Sequence, residues 1–178
     1  MAEAAPWELR TASPPDAEKL AMVLREGFES YRSFAPPGWE PPSGNWDLHL
    51  LRGRLRESDV WCLIAEADDD PIGHVSLLPA TKHARHPSSE PALAQLWHLF
   101  VRTGWWGSGL ATELHREVLR EAGGRGYRTM RLFTPLDQAR ALRFYEREGW
   151  TLARAPVEPA PGFGMPLAEL RRAISSSV

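Results

Sequence analysis

Between Val60 and Leu78 the chain carries two apolar runs, VWCLIA and IGHVSLL, with Asp68-Asp69-Asp70-Pro71 between them. A continuous apolar run of this length reads as a strand buried on both faces. Acidic residues and a proline between two such runs read as the turn of a hairpin. A hairpin in mid-chain excludes an all-parallel sheet, so the helices and strands around it must build a mixed one.

The rest of the chain supplies those elements. Leu9 to Ala12 is a short first strand. Ser13 or Asp16 then starts a helix to about Tyr31, with Leu20, Val23, Leu24 and Phe28 on one face. Ser33 to Asn45 is a proline-rich loop carrying Phe34 and Trp39, with Trp46 just beyond. A second helix covers Asp47 to Arg56, with Leu48, Leu51 and Leu55 as its apolar stripe. Past the hairpin, Pro79 to Pro91 is a polar loop and Ala92 to Val101 a third strong strand. Leu110 to Ala122 is an amphipathic helix, which Gly123-Gly124 is expected to end, since glycine tolerates the left-handed conformation of a helix C-terminus. Arg128 to Thr134 is another strand. Asp137 is expected to cap a helix running to Glu148, and Gly149 stops it. Trp150 to Ala153 and Gly164 to Leu170 are expected to close the sheet.

At 178 residues the chain has the size of one domain, taken as 1–178, large enough for its own core. A net charge of −2 argues against a duplex nucleic-acid partner. Cys62 is the single cysteine, so no intrachain disulfide forms. Met1-Ala2-Glu3-Ala4-Ala5-Pro6 has neither a basic nor an apolar leader region, and no apolar run is long enough for a bilayer. A cytoplasmic protein without a membrane partner is the expectation.

The chemistry centres on Leu99-Phe100-Val101-Arg102-Thr103-Gly104-Trp105-Trp106-Gly107-Ser108-Gly109-Leu110-Ala111, where a strand enters a glycine turn that opens a helix. The first N–H groups of that helix, from Gly107 to Thr112, lack intrahelical partners and with the helix dipole suit a pyrophosphate. A plain tight turn explains the same glycines. A phosphate-binding P-loop is excluded, because Leu110-Ala111 stands where Lys-Ser or Lys-Thr is required. A dinucleotide fingerprint is excluded because Thr112 stands where its third glycine belongs. The second segment is Asp137 to Trp150, whose Ala141, Leu142 and Tyr145 share a helix face.

Together the two segments resemble the diagnostic motifs of the GNAT superfamily of N-acetyltransferases. Trp106-Gly107-Ser108-Gly109-Leu110-Ala111 matches its acetyl-CoA motif, with Trp106 in place of the usual Arg or Gln. Gln138, Ala141, Phe144-Tyr145-Glu146, Gly149 and Trp150 match N-x-x-A-x-x-F-Y-E-x-x-G-F, with Gln138 for Asn and Trp150 for Phe. The element order agrees from Leu9 to Trp150. The resemblance implies a mixed, mostly antiparallel α/β sheet, splayed between two strands and flanked by helices. It implies acetyl-CoA as cosubstrate, no metal, and direct transfer to a primary amine in a ternary complex. The coenzyme would lie along Leu99, Phe100 and Val101 and on Trp106, Gly107, Ser108, Gly109, Leu110, Ala111 and Thr112, with Gln138 and Arg143 nearby. The backbone N–H near Leu99 would polarise the acyl carbonyl, and Tyr145 would protonate the leaving thiolate.

The base is less determined. Gln95 stands where some members carry Glu and cannot accept a proton. His98 has a suitable intrinsic pKa, but a regular strand turns it away from the side of Gln95 unless a bulge intervenes. Glu66 and His74 are further candidates. Arg102, Arg140, Arg143 and Arg147 are candidates for coenzyme phosphates or simply a solvated face. His83 and His86 have a metal-like spacing without carboxylate or thiolate company. Tyr31, Phe34, Trp39 and Trp46 either line an amine pocket or pack the proline-rich loop. Cys62 reads as a core residue. The acceptor and any pairing into a homodimer stay open. A non-catalytic acyl-CoA sensor on the same fold and a peptide-binding module using the aromatic loop are the competing readings.

Overall fold

The computed structural model describes residues 6–175, apart from the side chain of Asn45. The Met1–Ala5 stretch read above lies outside them. Seven strands form one sheet in the order β1-β2-β3-β4-β5-β7-β6. They are β1 (Glu8–Thr11), β2 (Trp61–Ala67), β3 (Asp70–Pro79), β4 (Leu93–Val101), β5 (Thr129–Pro135), β6 (Thr151–Val157) and β7 (Leu167–Ala173). Among the described residues only the β4–β5 pair is parallel, and the mid-chain hairpin supplies the antiparallel β2–β3 pair. The hairpin turn narrows to Asp68-Asp69, both with positive φ (50° and 64°), so Asp70 and Pro71 already belong to β3.

Four α-helices cover the faces: α1 (Ala17–Glu29), α2 (Leu48–Leu55), α3 (Leu110–Gly124) and α4 (Ala139–Arg147). α1 buries Leu20, Leu24 and Phe28 in one cluster with Cys62 and Ile64 on one face of the sheet, and its Val23 is buried too. Asp47 caps α2 by accepting from the Leu50 N–H at 2.7 Å. Leu51 is its one fully buried leucine, with Leu48 and Leu55 half-buried against the same cluster. α3 and α4 cover the other face through Leu110, Leu114, Val118 and Tyr145.

Three boundaries depart from expectation. α3 runs through Gly123 and Gly124, and the chain leaves it at Gly126, whose φ is +84°. The Tyr127 N–H bonds to Ala122 O (3.1 Å) and Gly126 N–H to Gly123 O (3.0 Å), a Schellman closure. Gln138 rather than Asp137 precedes the first turn of α4, and no side chain caps it. Gly164 lies in the β6–β7 loop with φ +77°, and β7 extends from Leu167 to Ala173. Among the described residues no helix is long and apolar enough to cross a membrane.

Candidate active site

β4 pairs with β5 only from Leu93 to Gln95, and beyond that point the two strands part. The opened wedge is a cavity of about 670 Å³ running between the sheet faces. The Arg102 N–H donates to Ile72 O at 2.8 Å, so in the alternating ladder His98 and Phe100 also turn their N–H groups toward β3. Leu99 and Val101 therefore turn theirs into the wedge. The Val101 carbonyl, on the same side, accepts from the Trp106 indole N–H at 2.9 Å.

The glycine turn closes one end of the wedge. Gly107 and Gly109 have φ of +81° and +93°, and a Cβ built on either would meet nothing within 4 Å. The glycines serve backbone conformation and leave open space over the N-terminus of α3. The N–H groups of Gly107, Gly109, Ala111 and Thr112 have no protein acceptor among the described residues. Two expected contributors turn away: Leu110 is wholly buried under α3, and the Ser108 hydroxyl donates to Trp105 O at 2.7 Å. Their N–H groups are engaged as well, Ser108 N–H with Trp105 O at 3.3 Å and Leu110 N–H with Ser108 Oγ at 3.3 Å, and neither residue lines the wedge. Arg140, Arg143 and Arg147 line the wedge, with Arg140 at this end. Arg102 does not, being bound to Glu26 (2.7 Å) and Asp70 (2.8 Å). Arg140 stacks its guanidinium 3.5 Å from the Trp106 ring centroid, a contact between two segments whose sequences gave no sign of it.

Tyr145 projects from α4 into the junction of the wedge. Its ring packs on Phe144 and Trp150, at centroid distances of 5.3 and 5.6 Å. Its hydroxyl has no protein partner among the described residues. Burial, with Tyr31 close by, pushes its pKa upward and keeps it protonated. Behind it, Trp150 Nε1 donates to His115 Nε2 at 2.9 Å, tying the end of α4 to α3. Gln138 also lines the wedge, its Oε1 accepting from Thr134 Oγ1 at 2.9 Å.

On β4 a bulge decides the orientation of His98. Ser76 pairs with His98 but Leu77 pairs with Leu96, leaving Trp97 as the extra residue. The bulge brings Gln95 and His98, three positions apart, to the same side, and both line the wedge. Gln95 is fixed there: its Oε1 accepts from Arg131 Nε at 2.8 Å and its Nε2 donates to Leu96 O at 3.0 Å. His98 is 9% exposed, and burial together with His74 and His83 pushes its pKa well below the usual value, so it is neutral at pH 7.

The other candidates disperse. Glu66 is held by Arg10 and Lys19 on the β1 side, its carboxyl pKa lowered by the Arg10 bond. His83 Nδ1 accepts from the His86 N–H at 3.0 Å, and both rings pack on Phe133. His86 Nε2 lies 2.7 Å from Glu158 O. Of the aromatic loop only Tyr31 reaches the wedge; Phe34, Trp39 and Trp46 pack on the α1 face. Cys62 is buried outside the wedge with its thiol pKa pushed up.

His74 is 1% exposed, and neither ring nitrogen nor the Ser76 hydroxyl finds a partner among the described residues. Burial lowers its pKa to about 3. The unfolded chain then binds a proton that the folded one refuses, so stability is full above pH 6.5 and falls as pH drops toward 3. Between pH 7 and 5.5 the share of His74 is about 1 kcal/mol. His74→Leu is expected to raise unfolding free energy by about 1–3 kcal/mol at pH 7, because it removes an unsatisfied buried group. It should also shrink the acid-side loss. Urea unfolding at the two pH values checks both, and a variant less stable than wild type would refute the account.

The chain is 25% identical over 150 residues to the spore coat polysaccharide biosynthesis protein SpsD of Bacillus subtilis, covering 82% of this chain and 47% of that protein. It is 28% identical over 160 residues to the mycothiol acetyltransferase of Pseudarthrobacter chlorophenolicus, covering 82% and 49%. The chain thus spans about half the length of these curated relatives. The PaiA N-acetyltransferase of Thermoplasma acidophilum, solved in complex with coenzyme A, shares the fold at a TM-score of 0.71 and 19% identity, over 92% of this chain and 97% of that one. The sequence model of the acetyltransferase (GNAT) family matches residues 24–150, and with the splayed sheet and the glycine turn in place the chain belongs to that family.

Proposed function

We propose that the protein transfers an acetyl group from acetyl-CoA directly to a primary amine, in one ternary complex. The observation that carries this reading is the wedge itself: outward N–H groups on β4, free N–H groups at the start of α3, and an unpartnered Tyr145 hydroxyl all face one cavity. Coenzyme A bound to the PaiA relative, and acetyltransferase activity in the name of the mycothiol relative, support it.

Acetyl-CoA supplies an activated acyl carbonyl and a thiolate leaving group. The free amides of Gly107, Gly109, Ala111 and Thr112 would hold its pyrophosphate. Arg140, carried at the mouth by the Trp106 ring, supplies the cation that position 106 itself lacks. The Leu99 N–H polarises the carbonyl. Tyr145, kept protonated by burial, donates to the departing sulfur. No acyl-enzyme is needed, since Cys62 lies outside the wedge with its thiol protonated.

His98 accepts the proton of the attacking amine. Its low basicity suits transfer late in bond formation, when that nitrogen has become acidic. Because His98 must be neutral, rates fall as pH drops through its lowered pKa. His98→Gln is expected to cut turnover at least about tenfold at pH 7 and to remove that limb. An unchanged pH profile would make His98 structural.

The direct test is binding and turnover. Millimolar acetyl-CoA should raise the melting temperature, since a ligand of the native state stabilises it. Thiol release should appear with pooled primary amines. No melting shift would overturn the coenzyme assignment; a shift without thiol release from any amine would favour a sensor.

A further inference from the structure

The acceptor half of the wedge has a composition that restricts what enters it, provided the acyl-transfer reading holds. Phe28, Tyr31 and Phe100 form one wall, with centroid separations of 5.0 to 6.2 Å. Gly27 makes that wall possible, since a Cβ there would fall 2.1 Å from the Phe100 ring. Trp97 and Phe133 contribute from β4 and β5, and Phe163 from the β6–β7 loop. Trp39 fixes Phe163 by donating its indole N–H to Phe163 O at 2.6 Å and meeting the ring edge-on at 6.1 Å. This wall is built before any acceptor arrives.

No aspartate or glutamate among the described residues lines the cavity. Nearby carboxylates are engaged outside it: Glu26 by Arg102, Glu29 and Glu40 by Arg32, and Glu158 by Arg85. The ionised side chains that do line it are arginines, with Arg85 on the acceptor side. His83, with its pKa lowered to about 4, is neutral. An ammonium can rest against an aromatic face until it gives its proton to solvent water, and the neutral amine then attacks. A second ammonium on the same acceptor would find no carboxylate among the lining side chains, Glu158 at the edge being already paired with Arg85 at 3.0 Å, and a desolvated unpaired cation is strongly disfavoured.

We infer that the acceptor is a monoamine carried on a flat, apolar aromatic body, and that polycations such as polyamines and aminoglycosides are excluded. The ring of the acceptor packs among Tyr31, Phe100 and Phe163 and places its amine toward His98.

Steady-state kinetics at saturating acetyl-CoA test this with phenethylamine, putrescine and spermidine. The expected result is a kcat/KM for phenethylamine on the order of a hundredfold above either polyamine. Phe163→Asp, a change at a half-buried loop position, should shift the preference toward putrescine by roughly tenfold or more. The acetyl-CoA melting shift should survive that substitution and reports that the variant is folded. If it is not folded, the wild-type ratio alone decides. Polyamine turnover equal to or above that of phenethylamine overturns the inference. So does a wild-type protein that binds acetyl-CoA yet acetylates no arylalkyl amine. A wild-type protein without the melting shift overturns the acyl-transfer reading itself, and the inference falls with it.

Discussion

Tyr145→Phe is expected to lower turnover by about a hundredfold to ten-thousandfold, the usual range for a lost general acid. The structure makes this substitution unusually clean. The Tyr145 ring is located by packing on Phe144 and Trp150, which phenylalanine keeps. The hydroxyl binds no protein group among the described residues, so its removal orphans nothing and leaves stability nearly unchanged. Acetyl-CoA affinity, set by backbone amides at the far end of the wedge, should stay within about threefold. A fall in kcat at constant coenzyme affinity is the signature of a contact made mainly in the transition state. The raised pKa of Tyr145 sharpens the prediction. A phenol that will not ionise at neutral pH is always loaded with its proton, so the wild-type rate should show no loss of acid through pH 9. Turnover within about twofold of wild type, with chemistry rate-limiting, would remove Tyr145 from the mechanism.

The fold was legible wherever local patterning and global topology agree. VWCLIA, the acidic turn and IGHVSLL specify β2 and β3, and Gly107 and Gly109 specify a backbone that only glycine adopts cheaply. The misplaced end of α3 has a local cause: three glycines fall within four residues, and only the Schellman closure at Gly126 distinguishes them. The orientation of His98 was not legible. A bulge at Trp97 leaves an apolar run looking like any other, because both faces of β4 are covered and alternation carries no signal. Residues that act through long-range contacts were equally silent. Arg131 fixing Gln95, Arg140 stacked on Trp106, and Phe163 over the acceptor wall each join segments that lie 34 or more positions apart or belong to a loop without periodicity. The glycine turn and the Tyr145 helix were visible separately, and only the splay between β4 and β5 shows why they must work together.

Gly109→Glu is expected to abolish the acetyl-CoA melting shift and to weaken binding by about two to three orders of magnitude. The space above Gly109 is open, so the new side chain meets no steric barrier. It would instead lay a carboxylate over the free N–H groups at the start of α3, where negative charge is favoured. The variant thus satisfies the anion site with its own side chain. A coenzyme pyrophosphate must then displace that carboxylate or lie beside it. Two like charges at about 4 Å repel by about 4 kcal/mol at an effective dielectric near 20, and solvent screening at the mouth reduces this by part. Gly109→Ala provides the control. Both substitutions force a side chain into a φ of +93°, a strain of about 1–2 kcal/mol common to the two. The alanine variant adds no charge, so it should lose some stability yet keep most of the coenzyme shift. Subtracting one from the other isolates electrostatics from backbone strain. If alanine and glutamate lose the shift equally, the turn serves conformation alone and the amides at the head of α3 do not hold the coenzyme.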